Sequence, residues 1–140
     1  TPLNATRANL LRSVVEAATF SLRTGLEAMQ RQGLAAKVAC VTGGGSHSTH
    51  WRQIIADILN VSVVLPRSDE AAAFGAAIQA LWCMERSYNQ RVSLADVVAS
   101  HLASSSNVEI SPREEHCLTY NEIYRRYQEL VIMMQKYWAR

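Results

Sequence analysis

The chain has 140 residues, 49% of them hydrophobic and 19% charged, which is the composition of one soluble globular domain. That length can bury a core without help from disulfides or metals. A formal net charge of +2, with Lys and Arg scattered along the chain, sets aside a charge-driven nucleic-acid or membrane-surface partner.

From about Ala5 to Arg31, apolar residues recur at helical spacing: Leu11, Val14, Val15, Ala18, Leu22, Leu26 and Met29. One long amphipathic helix is expected, closed by Gly33. Val38-Ala39-Cys40-Val41 reads as a strand buried on both faces. It runs into Thr42-Gly43-Gly44-Gly45, after which Ser46, Ser48 and Thr49 offer capping hydroxyls. Trp51, Ile54, Ile55, Ile58 and Leu59 form a second helical stripe, which Asn60 can end.

Val61 to Leu65 reads as a second buried strand, closed by Pro66. Ser68 can cap the next helix, with Asp69 and Glu70 in its first turn. Its run Ala71-Ala72-Ala73-Phe74-Gly75-Ala76-Ala77 suits close packing on a sheet, which would offset the roughly 1 kcal/mol that Gly costs against Ala in a helix. Past Arg86 the chain turns more polar. Ser93 is expected to cap a short helix from Leu94 to Leu102, Ser104 to Asn107 to form a loop, and residues 111–115 a turn. A last helix carries Tyr120, Ile123, Tyr124, Tyr127, Leu130, Val131, Met134 and Trp138.

The two strands should be parallel neighbours joined by a crossover. Two parallel strands cannot make a covered sheet alone, so the sheet partners are expected to be missing or to come from elsewhere. The opening Thr1-Pro2-Leu3-Asn4 carries no signal-peptide pattern and reads as the middle of a longer protein, so a fragment is expected. Cys40, Cys83 and Cys117 are odd in number, widely spaced and without a CxxC pair, which fits free thiols in the cytoplasm.

A strand, a glycine-rich turn and a helix N-terminus together favour an anion, because glycines let backbone N–H groups approach a ligand closely. The helix dipole adds roughly 0.3–1 kcal/mol per favourable contact. No Gly-Lys-Ser/Thr follows, and the spacing is not GxGxxG, so on the loop alone a ligand-free tight turn stays open. His47 and His50 lack a third metal ligand and read as solvent-facing. Asp57, on the helix face opposite the apolar stripe, and Asp69-Glu70 read as solvated or capping carboxylates. Trp51 reads as core packing, with stacking on adenine as the rival.

The stretch Val41-Thr42-Gly43-Gly44-Gly45-Ser46 through Trp51-Arg52-Gln53-Ile54-Ile55-Ala56-Asp57-Ile58-Leu59 resembles the FGGY carbohydrate kinases, and among them the xylulose kinases. So do Glu70 to Ala77 and the opening helix Arg7-Ala8-Asn9-Leu10-Leu11-Arg12-Ser13-Val14-Val15-Glu16, whereas the region after Arg86 matches only loosely. The resemblance implies an α/β, ribonuclease H-like C-terminal domain of the actin-like ATPase fold, lacking its opening strands. It implies a nucleotide-binding part over residues 1–90 and a helical extension over 91–140 that packs on it.

ATP with Mg, and a sugar bound mainly by the other half of the enzyme, are the implied ligands, with a pentulose, D-xylulose, as acceptor. By residue, Gly44 and Gly45 match phosphate-contacting positions, with Gly43 in the same loop. Ser48 matches a polar position near the adenosine, Gln53 a recurrent Gln of unassigned role, and the helix from Glu70 an adenine-side wall. No segment matches the family's catalytic Asp, so the 140 residues alone are expected to be inactive. A non-catalytic nucleotide-binding or interaction module of the same fold is the rival class. The aromatic last helix, if left exposed, would favour a homodimer.

Overall fold

The computed structural model describes residues 4–66, 70–102 and 109–138. Helix α1 spans Arg7–Arg31. Thr6 caps its start by accepting the N–H of Asn9 at 3.2 Å. Its end is a left-handed glycine closure: Gly33 has φ 88°, its N–H donates to Gln30 O, and Leu34 N–H donates to Met29 O.

Strand β1 (Val38–Cys40), helix α2 (Thr49–Leu59) and strand β2 (Ser62–Val64) follow in the expected order, and β1 and β2 pair in parallel. Asn60 ends α2 in the left-handed region at φ 52°, as anticipated. Helix α3 spans Ala71–Tyr88, α4 spans Leu94–Leu102, and β3 is Glu109–Ile110. The last helix, α5, covers Glu114–Trp138.

The third strand is the main departure from the sequence reading. β3 pairs antiparallel with β2, placing Ile110 opposite Val63 and Glu109 opposite Val64. The sheet order is β1-β2-β3, so β2 is central and Val63 is fully buried. A two-residue strand carries no readable alternation, which is why nothing in the sequence marked it. β1 lies at the sheet edge, and contrary to expectation it is not covered on both faces: Val38 is 50% exposed and Cys40 is exposed.

The core is a layer of α1, α2 and the first half of α5. Phe20, Ile58, Tyr120 and Tyr124 form its centre, with Ile54 and Tyr127 against it. The Phe20 ring meets Tyr120 edge-on at 6.1 Å and lies 5.3 Å from Tyr127. Arg23 sits over the Tyr124 ring at 4.3 Å. A polar seam joins α1 to α5: Arg12 donates to Tyr120 Oη, which donates to Glu16 Oε1 at 2.8 Å. Beyond Tyr127 most apolar side chains of α5, including Leu130, Met134 and Trp138, are exposed, and Val131 is half-buried.

Two packing expectations are corrected. In α1 the residues that bury are Thr19 and Phe20, while Leu11, Val14, Leu22 and Met29 of the apolar stripe stay more than half exposed. Phe20 is drawn into the tyrosine cluster and Thr19 holds a buried hydrogen bond, so the packed face is rotated from the stripe. In α3 the small-residue face is exposed and an added Cβ at Gly75 meets nothing within 4 Å, so close packing does not explain that glycine. Glu70 occupies the N-cap position of α3, before its first turn. Ser68 and Asp69, and the loop at 104–107, lie outside the described residues. α4 opens as anticipated, with Ser93 Oγ accepting Asp96 N–H and Asp96 accepting Ser93 N–H in return.

Candidate functional site at the glycine loop

The loop between β1 and α2 is built by local hydrogen bonds. Val41 N–H donates to Val64 O at 3.0 Å and carries the parallel ladder one residue past β1. Gly43 then turns the chain at φ 85°, a left-handed value that favours glycine. Its carbonyl accepts Ser46 N–H at 2.9 Å and Ser46 Oγ–H at 2.6 Å, which winds Gly44–His47 into a 3-10 turn. Ser46 is buried there. Ser48 ends this turn and starts the next helix: its N–H donates to Gly45 O, and its Oγ accepts Trp51 N–H at 3.2 Å.

The three glycines have different physical reasons. Gly43 is required by its backbone angle. Gly45 is required by packing, because a Cβ there would lie 2.4 Å from Cζ3 and 2.8 Å from Cε3 of the Trp51 ring. Gly44 has neither reason: its φ is not left-handed, and a Cβ would meet nothing within 4 Å.

Trp51 is thus a packing residue. Its indole N–H donates to Thr19 Oγ1 at 3.1 Å, and its ring lies against the cluster of Ile55, Ala56 and Val63. Thr19 is fully buried and its own hydroxyl donates to Val15 O at 2.8 Å. The glycine loop therefore rests on α1 through a tryptophan.

Asp57 corrects the reading of a solvated carboxylate, because it is 1% exposed. Its Oδ1 accepts Arg113 N–H at 2.8 Å and Gln53 Nε2–H at 2.9 Å. Its Oδ2 accepts Arg113 guanidinium N–H groups at 2.6 and 3.2 Å, with His116 Nδ1 3.4 Å away. Burial pushes this carboxyl up, but the hydrogen bonds from Arg113 and Gln53 outweigh it and hold it below the ordinary value of 3.8. Such a carboxylate joins α2 to the start of α5 and is poorly suited to accept a substrate proton. Gln53 Nε2 also donates to Ser111 O at 3.1 Å, so both amide hydrogens are engaged and Oε1 is left for other contacts.

His47 and His50 are exposed, and among the described residues no group of three or more His, Cys, Asp or Glu side chains could hold a metal. The loop, its 3-10 turn and the first turn of α2 together present helix-opening N–H groups on a small-residue surface, an arrangement suited to an anion. The structure brings Gly43, Gly44, Gly45 and Ser48 together in this turn and places Gln53 one helical turn on, facing Asp57. Sequence reasoning missed Thr19 and Arg113. Neither carried a signal, because each acts on a partner 32 or 56 residues away.

The family model for the C-terminal domain of FGGY carbohydrate kinases matches residues 1–84. The chain belongs to this family. An FGGY relative, the xylulose kinase of Haemophilus influenzae, is 38% identical over 124 residues, which is 89% of this chain and 24% of that protein. The L-xylulose/3-keto-L-gulonate kinase of Escherichia coli is 32% identical over 135 residues, 96% of this chain and 26% of that protein.

Among solved FGGY structures, the xyloylose kinase from Brucella ovis superposes with a TM-score of 0.77 at 30% identity, covering 94% of this chain and 26% of that one. The xylulose kinase from Rhodospirillum rubrum superposes with a TM-score of 0.74 at 25% identity, covering 99% of this chain and 27% of that one. The fold is that of the C-terminal, ribonuclease H-like part of an actin-like ATPase. The chain spans about a quarter of the length of these relatives.

Proposed function

We propose that this chain is the nucleotide-holding part of a carbohydrate kinase that phosphorylates a pentulose, D-xylulose, with Mg-ATP. The observation that carries the reading is Gly44. Its neighbours are glycines for internal reasons, whereas at Gly44 neither backbone angle nor packing excludes a side chain. Close approach of a ligand to the backbone accounts for a glycine at such a position.

In this reading Gly43, Gly44 and Gly45 hold the phosphates, Ser48 lies on the adenosine side, and Gln53 belongs to the nucleotide site without an assigned role. Mg-ATP supplies the phosphoryl group when bound. The chain's own residues position: the 3-10 turn orients N–H groups, and Trp51 fixes Gly45. The proton of the sugar hydroxyl is taken by an Asp outside these 140 residues. Asp57, bound by Arg113 and Gln53, is not that base. We assign nucleotide binding to residues 1–90 and treat 91–140 as a helical extension packed on them. A cytoplasmic setting accords with the free Cys40, Cys83 and Cys117, and no described helix is long and apolar enough to cross a membrane.

Two measurements test this. The 140-residue chain should bind ADP weakly and show no sugar-dependent ATP consumption. The longer protein containing it should consume ATP when given D-xylulose. Turnover by the 140 residues alone, or no D-xylulose-dependent consumption by the longer protein, would refute the assignment.

A further inference from the structure

We propose that Thr19 is a positioning residue for nucleotide binding and acts through Trp51. The inference rests on the reading of Thr42 to Gly45 as the nucleotide loop. Thr19 lies in the middle of α1, and its hydroxyl has two committed partners. Its hydrogen goes to Val15 O at 2.8 Å, which leaves an oxygen lone pair to receive the Trp51 indole N–H at 3.1 Å. The residue is fully buried, so water cannot replace either bond.

The tryptophan is held at both ends. Ser48 Oγ accepts its backbone N–H, and Thr19 accepts its indole N–H. The benzo edge of the same ring sets the position of Gly45, where a Cβ would lie 2.4 Å from Cζ3. A swing of the indole about the Thr19 bond moves that edge onto or off the Gly45 backbone. Gly44 and Gly45 open the 3-10 turn, so they move with it. An α1 residue without a contact to the ligand thereby sets where the loop's N–H groups point.

The test is ADP affinity by calorimetry on the protein carrying Thr19→Val, Trp51→Phe, both changes, Thr19→Ser or Thr24→Val. Val keeps the shape of Thr19 without an acceptor, whereas Phe removes both the indole N–H and the benzo edge that faces Gly45. Each should weaken ADP binding roughly threefold to tenfold, the range expected for one neutral hydrogen bond. The double variant should be no weaker than Trp51→Phe alone, because that change already removes the Thr19 bond. Thr19→Ser should restore wild-type affinity.

Thr24→Val is the control, because its hydroxyl joins Tyr124 of α5 at 3.0 Å. It should leave ADP affinity unchanged, whereas a loss caused by general loosening of α1 would appear there too. In turnover assays, Thr19→Val should raise KM for ATP more than it lowers kcat. Wild-type ADP affinity in Thr19→Val, or equal weakening by Thr24→Val, would overturn the proposal. Absence of ADP binding by the unmodified protein would instead overturn the nucleotide reading on which it rests. If Thr19→Val fails to fold, Thr19→Ala, read against Thr24→Val, decides in its place.

Discussion

Asp57 in α2 accepts both the backbone N–H and the guanidinium of Arg113, the residue just before α5. This contact ties the segment that follows the glycine loop to the C-terminal helix. Arg113 is half exposed while Asp57 is fully enclosed, so the carboxylate depends on its partners more than they depend on it. Replacing Asp57 with Ala leaves the Arg113 and Gln53 donors without their acceptor. The stability of the chain in urea should fall by about 1–3 kcal/mol, the cost of leaving those donors without their acceptor. A change below about 1 kcal/mol would show that the pair is not a structural joint.

The same carboxyl sets an acid limit. Its folded value lies below the ordinary 3.8, so its contribution to stability is present above that value and is lost as pH falls through the folded one. Urea midpoints should therefore hold steady for this group above about pH 5 and decline below about pH 4. In Asp57→Asn that portion of the decline should be absent.

Asn60 holds the left-handed closure of α2 at φ 52°. Asn60→Ala should destabilise by about 1 kcal/mol and Asn60→Gly should be neutral or mildly stabilising, read from thermal midpoints. Equal effects of the two substitutions would remove the backbone explanation.

Gly45→Ala inserts a methyl group into the Trp51 ring. The variant should lose about 1–3 kcal/mol of stability, and its indole fluorescence should shift as the ring is displaced. Gly44→Ala, with open space around it, should leave stability within about 0.5 kcal/mol. A matched loss in both would contradict the separate roles given to the two glycines.

Legibility in the sequence followed the range of each interaction. The closures at Gly33 and Asn60, the Ser48 and Ser93 caps, and the parallel pairing of β1 and β2 are local or near-neighbour features, and residue type announces them. β3 was hidden because two residues have no period. Asp57 looked solvated because its position opposite the apolar stripe says nothing of an arginine 56 residues away. The packed face of α1 was misjudged because Thr19 counts as polar in any periodicity, although its hydroxyl is satisfied internally and fully buried. At the candidate site the sequence marked a glycine loop. It could not divide that loop into a backbone glycine, a packing glycine and one left over.

That remaining glycine is the most direct test of the account. Calorimetric titration of ADP into the protein with Gly44 intact should saturate, and Gly44→Asp should abolish the signal. The substitution puts a carboxylate where the phosphates are held, in open space that does not perturb the fold. Identical titration curves for the two proteins, with or without heat, would contradict the assignment of Thr42 to Gly45 as the nucleotide loop.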